Sequence, residues 1–411
     1  MTIFAKKQRM SLTPNRSYLP FARKMIYFHY GNLSRSGGRF MRAEAAYWLA
    51  LIHASGLKLS VLKPIIQQWY LMEGRPLVEL FNRSATELSV HFNISAADAE
   101  KITHAAKYHA EQLRRIDRWH AQGITVLPLS HPQYPTRLLN TLPPQRQPLL
   151  LWAKGNLKLL TEPMVTVLGD PALEKAEIDG LNTLIAALAA EGIGVVSGYG
   201  KGMDRIAFES ALNLPQGQGV AILPLGLNTF AQLTHKLDDA VAAGKTVLVS
   251  PFEPDTEYKE AFSAARNLLV DSLAMVLLVP VVDPLAKERA TAALERGMPV
   301  LVGNTDTPAN RELIAAGAFL MTDSGEVIEL VQQAIIDTAI QLQMAQKPAV
   351  EPLPPGEMLN ETDDFALHTD AVNPLPPDET LDILSSAGNV PTSLREKLMA
   401  LEKQAKKEHP D

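Results

Sequence analysis

Gly194-Val-Val-Ser-Gly-Tyr-Gly-Lys-Gly-Met-Asp204 reads as a buried strand that ends in a glycine-dense loop and passes at once into an amphipathic helix, Asp204–Leu214. The glycines at 194, 198, 200 and 202 let the backbone turn tightly, and their bare Cα atoms admit a ligand to the peptide N–H groups. The free N–H groups at the helix start, with the positive end of the helix dipole, suit a phosphate. The loop is expected to bind something anionic, a nucleotide or a nucleic-acid backbone. A purely structural turn requires neither so many glycines nor Lys201.

Two common phosphate motifs are excluded. The spacing is not the Gly-x-Gly-x-x-Gly of dinucleotide folds, and Gly200-Lys201-Gly202 lacks the Ser or Thr that a P-loop needs for magnesium. Asp239-Ala-Val-Ala-Ala-Gly244-Lys245-Thr246 imitates the end of a P-loop, but Asp239 stands where its first glycine belongs. It also leads from a helix into a strand, the wrong order.

Outward from the loop, apolar strands alternate with amphipathic helices. Strands are expected at Met164–Leu168, Gly194–Ser197, Val220–Pro224, Thr246–Ser250, Met275–Val281, Pro299–Val302 and Phe319–Thr322. Helices are expected near Asp179–Glu191, Asp204–Leu214, Thr229–Ala243, Glu260–Ser272, Leu285–Arg296, Ala309–Ala316 and Val331–Leu342. Continuous apolar strands of this kind are covered on both faces by helices, which predicts an α/β fold with an open, mostly parallel sheet. Ligands of such sheets gather at the strand C-termini, which places Gly169, the Gly198–Gly202 loop and Pro224-Leu-Gly226 on one rim.

Upstream, residues 41–122 read as a small helical module, with apolar residues at three- and four-residue spacing in Glu44–His53, Ser60–Met72 and Ser95–Gln122. Ser95 suits an N-cap and Gly123 a helix stop. His53–Ser60 sits where a helix-hairpin-helix turn could lie, without that motif's second glycine. A strand, Ile124–Leu129, follows. Residues 1–43 hold nine Lys or Arg and no Asp or Glu, so the net charge of −6 hides a basic arm on an acidic remainder. Such an arm can hold nucleic acid through its phosphates. Met41, which opens the first convincing helix, is an alternative start. Residues 347–379 contain seven prolines and one aromatic, Phe365, and read as a disordered linker before a short helix at Thr392–Lys406. The expected divisions are thus 1–40, 41–123, 124–342 and 343–411.

With 46% hydrophobic residues the chain can bury a sizeable core, and its 20% of charged residues is ordinary for a soluble protein. It has no cysteine, which excludes disulfides, thiolate metal sites and a thiol nucleophile. The histidines show no metal-ligand spacing, and no apolar run is long enough to span a membrane. The reading calls for no cofactor, no metal, no membrane association and a cytoplasmic setting.

The order of motifs resembles the DNA-processing protein A (DprA, Smf) family. The resemblance rests on His131-Pro-Gln-Tyr-Pro-Thr-Arg-Leu-Leu139, Leu149–Gly155, Val165–Gly169, the Val195–Asp204 loop, Gly219–Gly226, Ala265-Arg-Asn267 and Leu294–Leu301, and covers roughly residues 44–335. It implies a Rossmann-like core that binds single-stranded DNA, usually as a homodimer, and helps load RecA onto it in recombination and natural transformation. It implies a recombination mediator, not an enzyme. On that reading Gly169, Ser197, Gly198, Gly200, Lys201, Gly202, Arg266 and Asn267 are the candidate phosphate- and nucleic-acid-binding residues. Lys201 and Arg266 supply charge, while Ser197 and Asp204 brace the loop.

The chain departs from the family pattern at Gly169-Asp170-Pro171, where the family has Gly-Ser-Arg. It departs again at Asp283–Lys287 and at Phe262-Ser-Ala, and its C-terminal element looks truncated. A second reading makes the loop a site for a nucleotide, or for nucleoside-monophosphate hydrolysis, with Glu209 as the carboxylate. A third is a scaffold that keeps a dimer surface and binds no ligand.

Overall fold

The computed structural model describes residues 37–169 and 175–344. The basic arm up to residue 36, Asp170 and Pro171, the proline-rich stretch and the C-terminal helix expected at Thr392–Lys406 lie outside the described residues. The helical module and the sheet belong to one unit that ends at Ile335.

Six α-helices, α1 (Gly37–Leu49), α2 (Leu59–Ile66), α3 (Leu77–Phe81), α4 (Ala85–Phe92), α5 (Ala96–Ala105) and α6 (His109–Ala121), form the N-terminal module, with the π-helical segments Ala50–Ala54 and Gln67–Met72 and a 3-10 turn, Ala106–Tyr108, extending three of them. Local chemistry sets their starts. Ser95 accepts the Asp98 N–H at 3.1 Å, as its N-cap position predicts. At α4, Ser84 and Glu87 satisfy each other's backbone N–H groups in a capping box. The first described helix begins at Gly37, upstream of Met41. The module closes around fully buried Trp48, Trp69, Leu62, Leu77 and Leu80, with Trp48 edge-on to Tyr70 at 5.4 Å.

The sheet has nine strands: β1 (Ile124–Pro128), β2 (Leu150–Gly155), β3 (Met164–Val167), β4 (Gly194–Ser197), β5 (Gly219–Ile222), β6 (Thr246–Ser250), β7 (Val276–Val279), β8 (Val300–Val302) and β9 (Phe319–Leu320). Their spatial order is β1-β2-β6-β5-β4-β3-β7-β8-β9. From β6 to β9 every pairing is parallel, while β1–β2 and β2–β6 are antiparallel. The expected parallel sheet is therefore extended at one edge by an antiparallel pair of strands from upstream. Trp152 of β2 stands across from Ser250 of β6 and meets Trp119 of α6 edge-on at 6.2 Å, so the same strand joins module and sheet. Strands β3 to β8 are buried throughout; both residues of β9 are exposed.

The chain runs outward from β3 through β4, β5 and β6, then returns to β7 on the other side of β3. The strand order therefore reverses between β3 and β7, the kind of position where open α/β sheets take their ligands. The connecting helices are α8 (Lys175–Ala190), α9 (Met203–Asn213), α10 (Leu227–Leu233), α11 (Asp238–Ala242), α12 (Glu260–Leu273), α13 (Pro284–Glu295), α14 (Pro308–Ala315) and α15 (Ser324–Met344), with a short helix, α7 (Arg137–Thr141), between β1 and β2. The single helix expected over Thr229–Ala243 is two. Thr234 is extended (φ −161°, ψ 145°) and its hydroxyl accepts the Lys236 N–H at 3.3 Å, which breaks the helical run before Asp238.

Candidate functional site

The sequence Ser197-Gly-Tyr-Gly-Lys-Gly202 joins the C-terminus of β4 to α9, and α12 lies across it. Asp204, in the first turn of α9, organises the loop. One of its carboxylate oxygens accepts from the Ser197 hydroxyl and from the Gly198 N–H, both at 3.2 Å. Its other oxygen takes the Arg205 N–H at 2.8 Å. The Ser197 hydroxyl in turn accepts the Tyr199 N–H at 2.8 Å. Ser197 is fully buried, so its hydroxyl sits beneath the loop as support. This is the bracing role its chemistry predicts, and it shows two of the loop's N–H groups to be consumed internally.

The next five N–H groups, of Gly200, Lys201, Gly202, Met203 and Asp204, have no acceptor among the described residues. They begin in the loop and end in the first turn of α9, where the helix dipole adds its positive end. A run of unpaired donors at such a terminus is suited to an anion.

Arg266, from the second turn of α12, reaches back over the loop. Its Nη1 donates to the Gly198 carbonyl at 2.6 Å. A Cβ placed on Gly198 would lie 2.4 Å from Arg266 Cδ, so glycine is required for the side chain to approach this closely. Burial holds the guanidinium below its ordinary range, and the nearby Asp204 carboxylate partly offsets this. Its Nε is buried with no partner among the described residues. The structure thus brings Ser197, Gly198, Gly200 and Arg266 into one contact set. Lys201, on the same loop, is exposed and forms no ion pair among the described residues. Asn267 follows Arg266 on α12, half-buried, its amide without a partner among the described residues.

Gly169 lies two residues beyond the end of β3, the neighbour of β4 in the sheet, with φ +131°; a Cβ there would sit 2.1 Å from the Val281 carbonyl. Its bare Cα lets the ends of β3 and β7 close together where the strand order reverses.

Two neighbours, Tyr199 and Arg205, escaped the sequence reading; both bind Glu209, the carboxylate of the second reading. Tyr199 donates to Glu209 at 2.9 Å, Arg205 Nε donates to the same oxygen at 2.9 Å, and the guanidinium lies 4.6 Å over the tyrosine ring. The visible signal was the four-residue spacing of Arg205 and Glu209 on a helix. Burial pushes the Glu209 carboxyl up, but the bonds from Arg205 and Tyr199 outweigh it and leave it below its ordinary value. Glu209 is thus a carboxylate committed to Arg205 and Tyr199. Among the described residues, no group of three or more His, Asp or Glu could hold a metal ion. Nor is any helix there long and apolar enough to cross a membrane.

A nine-stranded, mostly parallel sheet flanked by helices, with a donor-rich loop at its strand ends, defines a Rossmann-like α/β protein. Residues 125–332 match the profile of the DNA recombination-mediator protein A family, and the chain belongs to that family. It is 28% identical to Protein Smf of Escherichia coli over 50% of this chain and 56% of that protein. It is 31% identical to DNA processing protein DprA of Streptococcus pneumoniae over 44% of this chain and 66% of that one. The chain thus spans between about half and two thirds of the length of these relatives. A solved structure of DNA processing protein A from Helicobacter pylori, described for its single-stranded DNA binding mode, aligns with TM-score 0.44 and 25% identity over 51% of this chain and 96% of that one. The helical module before residue 125 lies outside the family match.

Proposed function

We propose that the protein binds single-stranded DNA by its backbone and serves as a recombination mediator that helps place RecA on the strand. The observation that carries this reading is the run of unpaired N–H groups from Gly200 to Asp204 with the Arg266 guanidinium across the same loop. Family membership supports the DNA half of the reading. In it, the loop N–H groups and Lys201 hold a phosphate, Arg266 fixes the loop and adds charge, and Asn267 donates to the backbone or to a base edge. Gly169 keeps the neighbouring strand end low enough for the chain to pass.

The test is fluorescence anisotropy of a labelled oligothymidylate at several salt concentrations. Removing two phosphate-contacting cations with Lys201→Ala/Arg266→Ala should flatten the slope of log K against log salt by roughly 1.4, at about 0.7 per contact on single strands. Affinity and slope unchanged by that pair would end this assignment of the site. A second form beginning at Met41 separates the core from the basic arm. Release of free base from a nucleoside monophosphate would instead favour hydrolysis.

Assembly as a homodimer belongs to the same reading. Phe319 and Leu320 are 48% and 41% exposed on the edge strand β9, an apolar edge that a second copy would cover. Phe319→Glu/Leu320→Glu should convert a dimer to a monomer in analytical ultracentrifugation; a dimer that survives places the interface elsewhere.

A further inference from the structure

Tyr199 stands in the middle of a glycine loop at a backbone position that favours glycine. Its φ is +50°, and only Asn93 shares this trait among the non-glycine residues described. A bulky residue in the left-handed region is disfavoured unless its surroundings hold it there. They do so from several sides. The ring meets Phe208 and Phe230 edge-on, each at 5.8 Å, and carries Arg205 over one face. The phenol donates to Glu209, and the backbone N–H to Ser197. Burial, then Glu209, push the phenol up to about 12, so it remains a donor across the working pH range.

The left-handed turn at Tyr199 immediately precedes the five unpaired N–H groups and sets the direction in which the chain continues towards α9. A loop of alternating glycines has much conformational freedom to lose when it closes on a ligand. An aromatic anchor removes part of that freedom beforehand. Its polar partners add no net charge, because Arg205 and Glu209 neutralise one another at 2.9 Å. That matters beside a phosphate, where an unpaired Glu209 would repel the strand.

We propose that Tyr199 is the positioning residue of the donor loop, clamped by Arg205 and Glu209, whose mutual neutralisation keeps a carboxylate from opposing the bound backbone. This rests on the phosphate-binding reading of the same loop.

Full-length Tyr199→Phe, Tyr199→Gly, Arg205→Ala and Arg205→Ala/Glu209→Gln would be compared in the oligothymidylate titration, with thermal unfolding alongside. Tyr199→Gly permits the left-handed turn but loses the anchor. Its affinity should fall about tenfold, the scale of lost preorganisation, while the salt slope stays put because no cation has gone. Tyr199→Phe keeps the ring contacts and should stay within about threefold of the parent, since only one hydrogen bond is lost. Arg205→Ala exposes the Glu209 charge and should weaken binding most at low salt, and Glu209→Gln in that background should restore it.

The Lys201→Ala/Arg266→Ala protein is the control. If it binds like the parent, the site reading fails. If it binds weakly while Tyr199→Gly binds like the parent, the positioning role is refuted and the site stands. Failure of Glu209→Gln to rescue Arg205→Ala overturns the neutralisation, even where Tyr199→Gly is too unstable to assay.

Discussion

Replacing Gly198 by alanine should act almost wholly through Arg266. The new Cβ would lie 2.4 Å from Cδ and 2.7 Å from both Nε and Nη1 of that side chain. Carbon atoms in contact settle at roughly 3.5–4.0 Å, so the guanidinium must retreat by an ångström or more. Retreat breaks the 2.6 Å bond to the Gly198 carbonyl. A hydrogen bond to a charged group contributes about 1.5–3 kcal/mol, and the half-buried setting places this one towards the lower end. Gly198→Ala and Arg266→Ala should therefore each destabilise by about 1.5–2 kcal/mol. The double variant should be no worse than Arg266→Ala alone, because the clashing partner has been removed. Urea unfolding of the four proteins, with m unchanged, measures the cycle, and a coupling energy close to the single-variant effect is expected. Equal destabilisation by Gly198→Ala with and without Arg266 would refute the reasoning. The oligothymidylate affinity of Gly198→Ala should fall towards that of Arg266→Ala.

Three further outcomes follow from other parts of the structure. Asp271 on α12 and Arg289 on α13 form a bidentate, almost fully buried pair at 2.6 and 3.1 Å; Asp271→Ala should cost about 3–5 kcal/mol in thermal or urea unfolding, and Arg289→Met in the same chain should recover much of it. Burial holds His131 down at about 4, below its ordinary 6.5, and its Nδ1 accepts the Gln133 N–H at 3.1 Å. Between those values the unfolded chain binds a proton that the native one refuses, so stability should fall as pH drops from 6.5 towards 4, and His131→Asn should flatten that part of the melting-temperature profile. Ser84→Ala breaks the capping box of α4 and should lower stability by about 1 kcal/mol by the same unfolding assay.

The sheet was legible because its strands are short apolar runs bounded by glycine, proline and polar turns. Gly194–Ser197 and Thr246–Ser250 coincide with β4 and β6 to the residue. What escaped was long-range. Nothing local in Leu149–Trp152 says that β2 will pair antiparallel with a strand beginning at Thr246. The break at Thr234 was hidden because apolar spacing continues on both sides of it. At the site, glycine spacing pointed to the loop and the Arg-Asn pair to α12, yet the Arg266–Gly198 contact links residues far apart in sequence. The loop's internal economy of hydrogen bonds was legible only in part. Asp204 could be read as a brace, whereas the fixation of Tyr199 depends on Phe230 from a different helix. The link from Arg115 to Glu253 at 2.7 Å, joining the helical module to the loop after β6, has no sequence signature at all.

The pairing of β2 with β6 also bears on how the chain is made. Synthesis delivers the helical module and the β1–β2 hairpin first, and the free edge of β2 then waits for Thr246–Ser250 while β3, β4 and β5 are still being laid down. Leu150 to Ala153, an apolar and aromatic stretch destined for burial, spends that interval with unmet backbone groups, the condition that invites association between nascent chains. A ribosome pause before Thr246–Ser250 has left the exit tunnel would lengthen the exposure, and one after it has emerged would not.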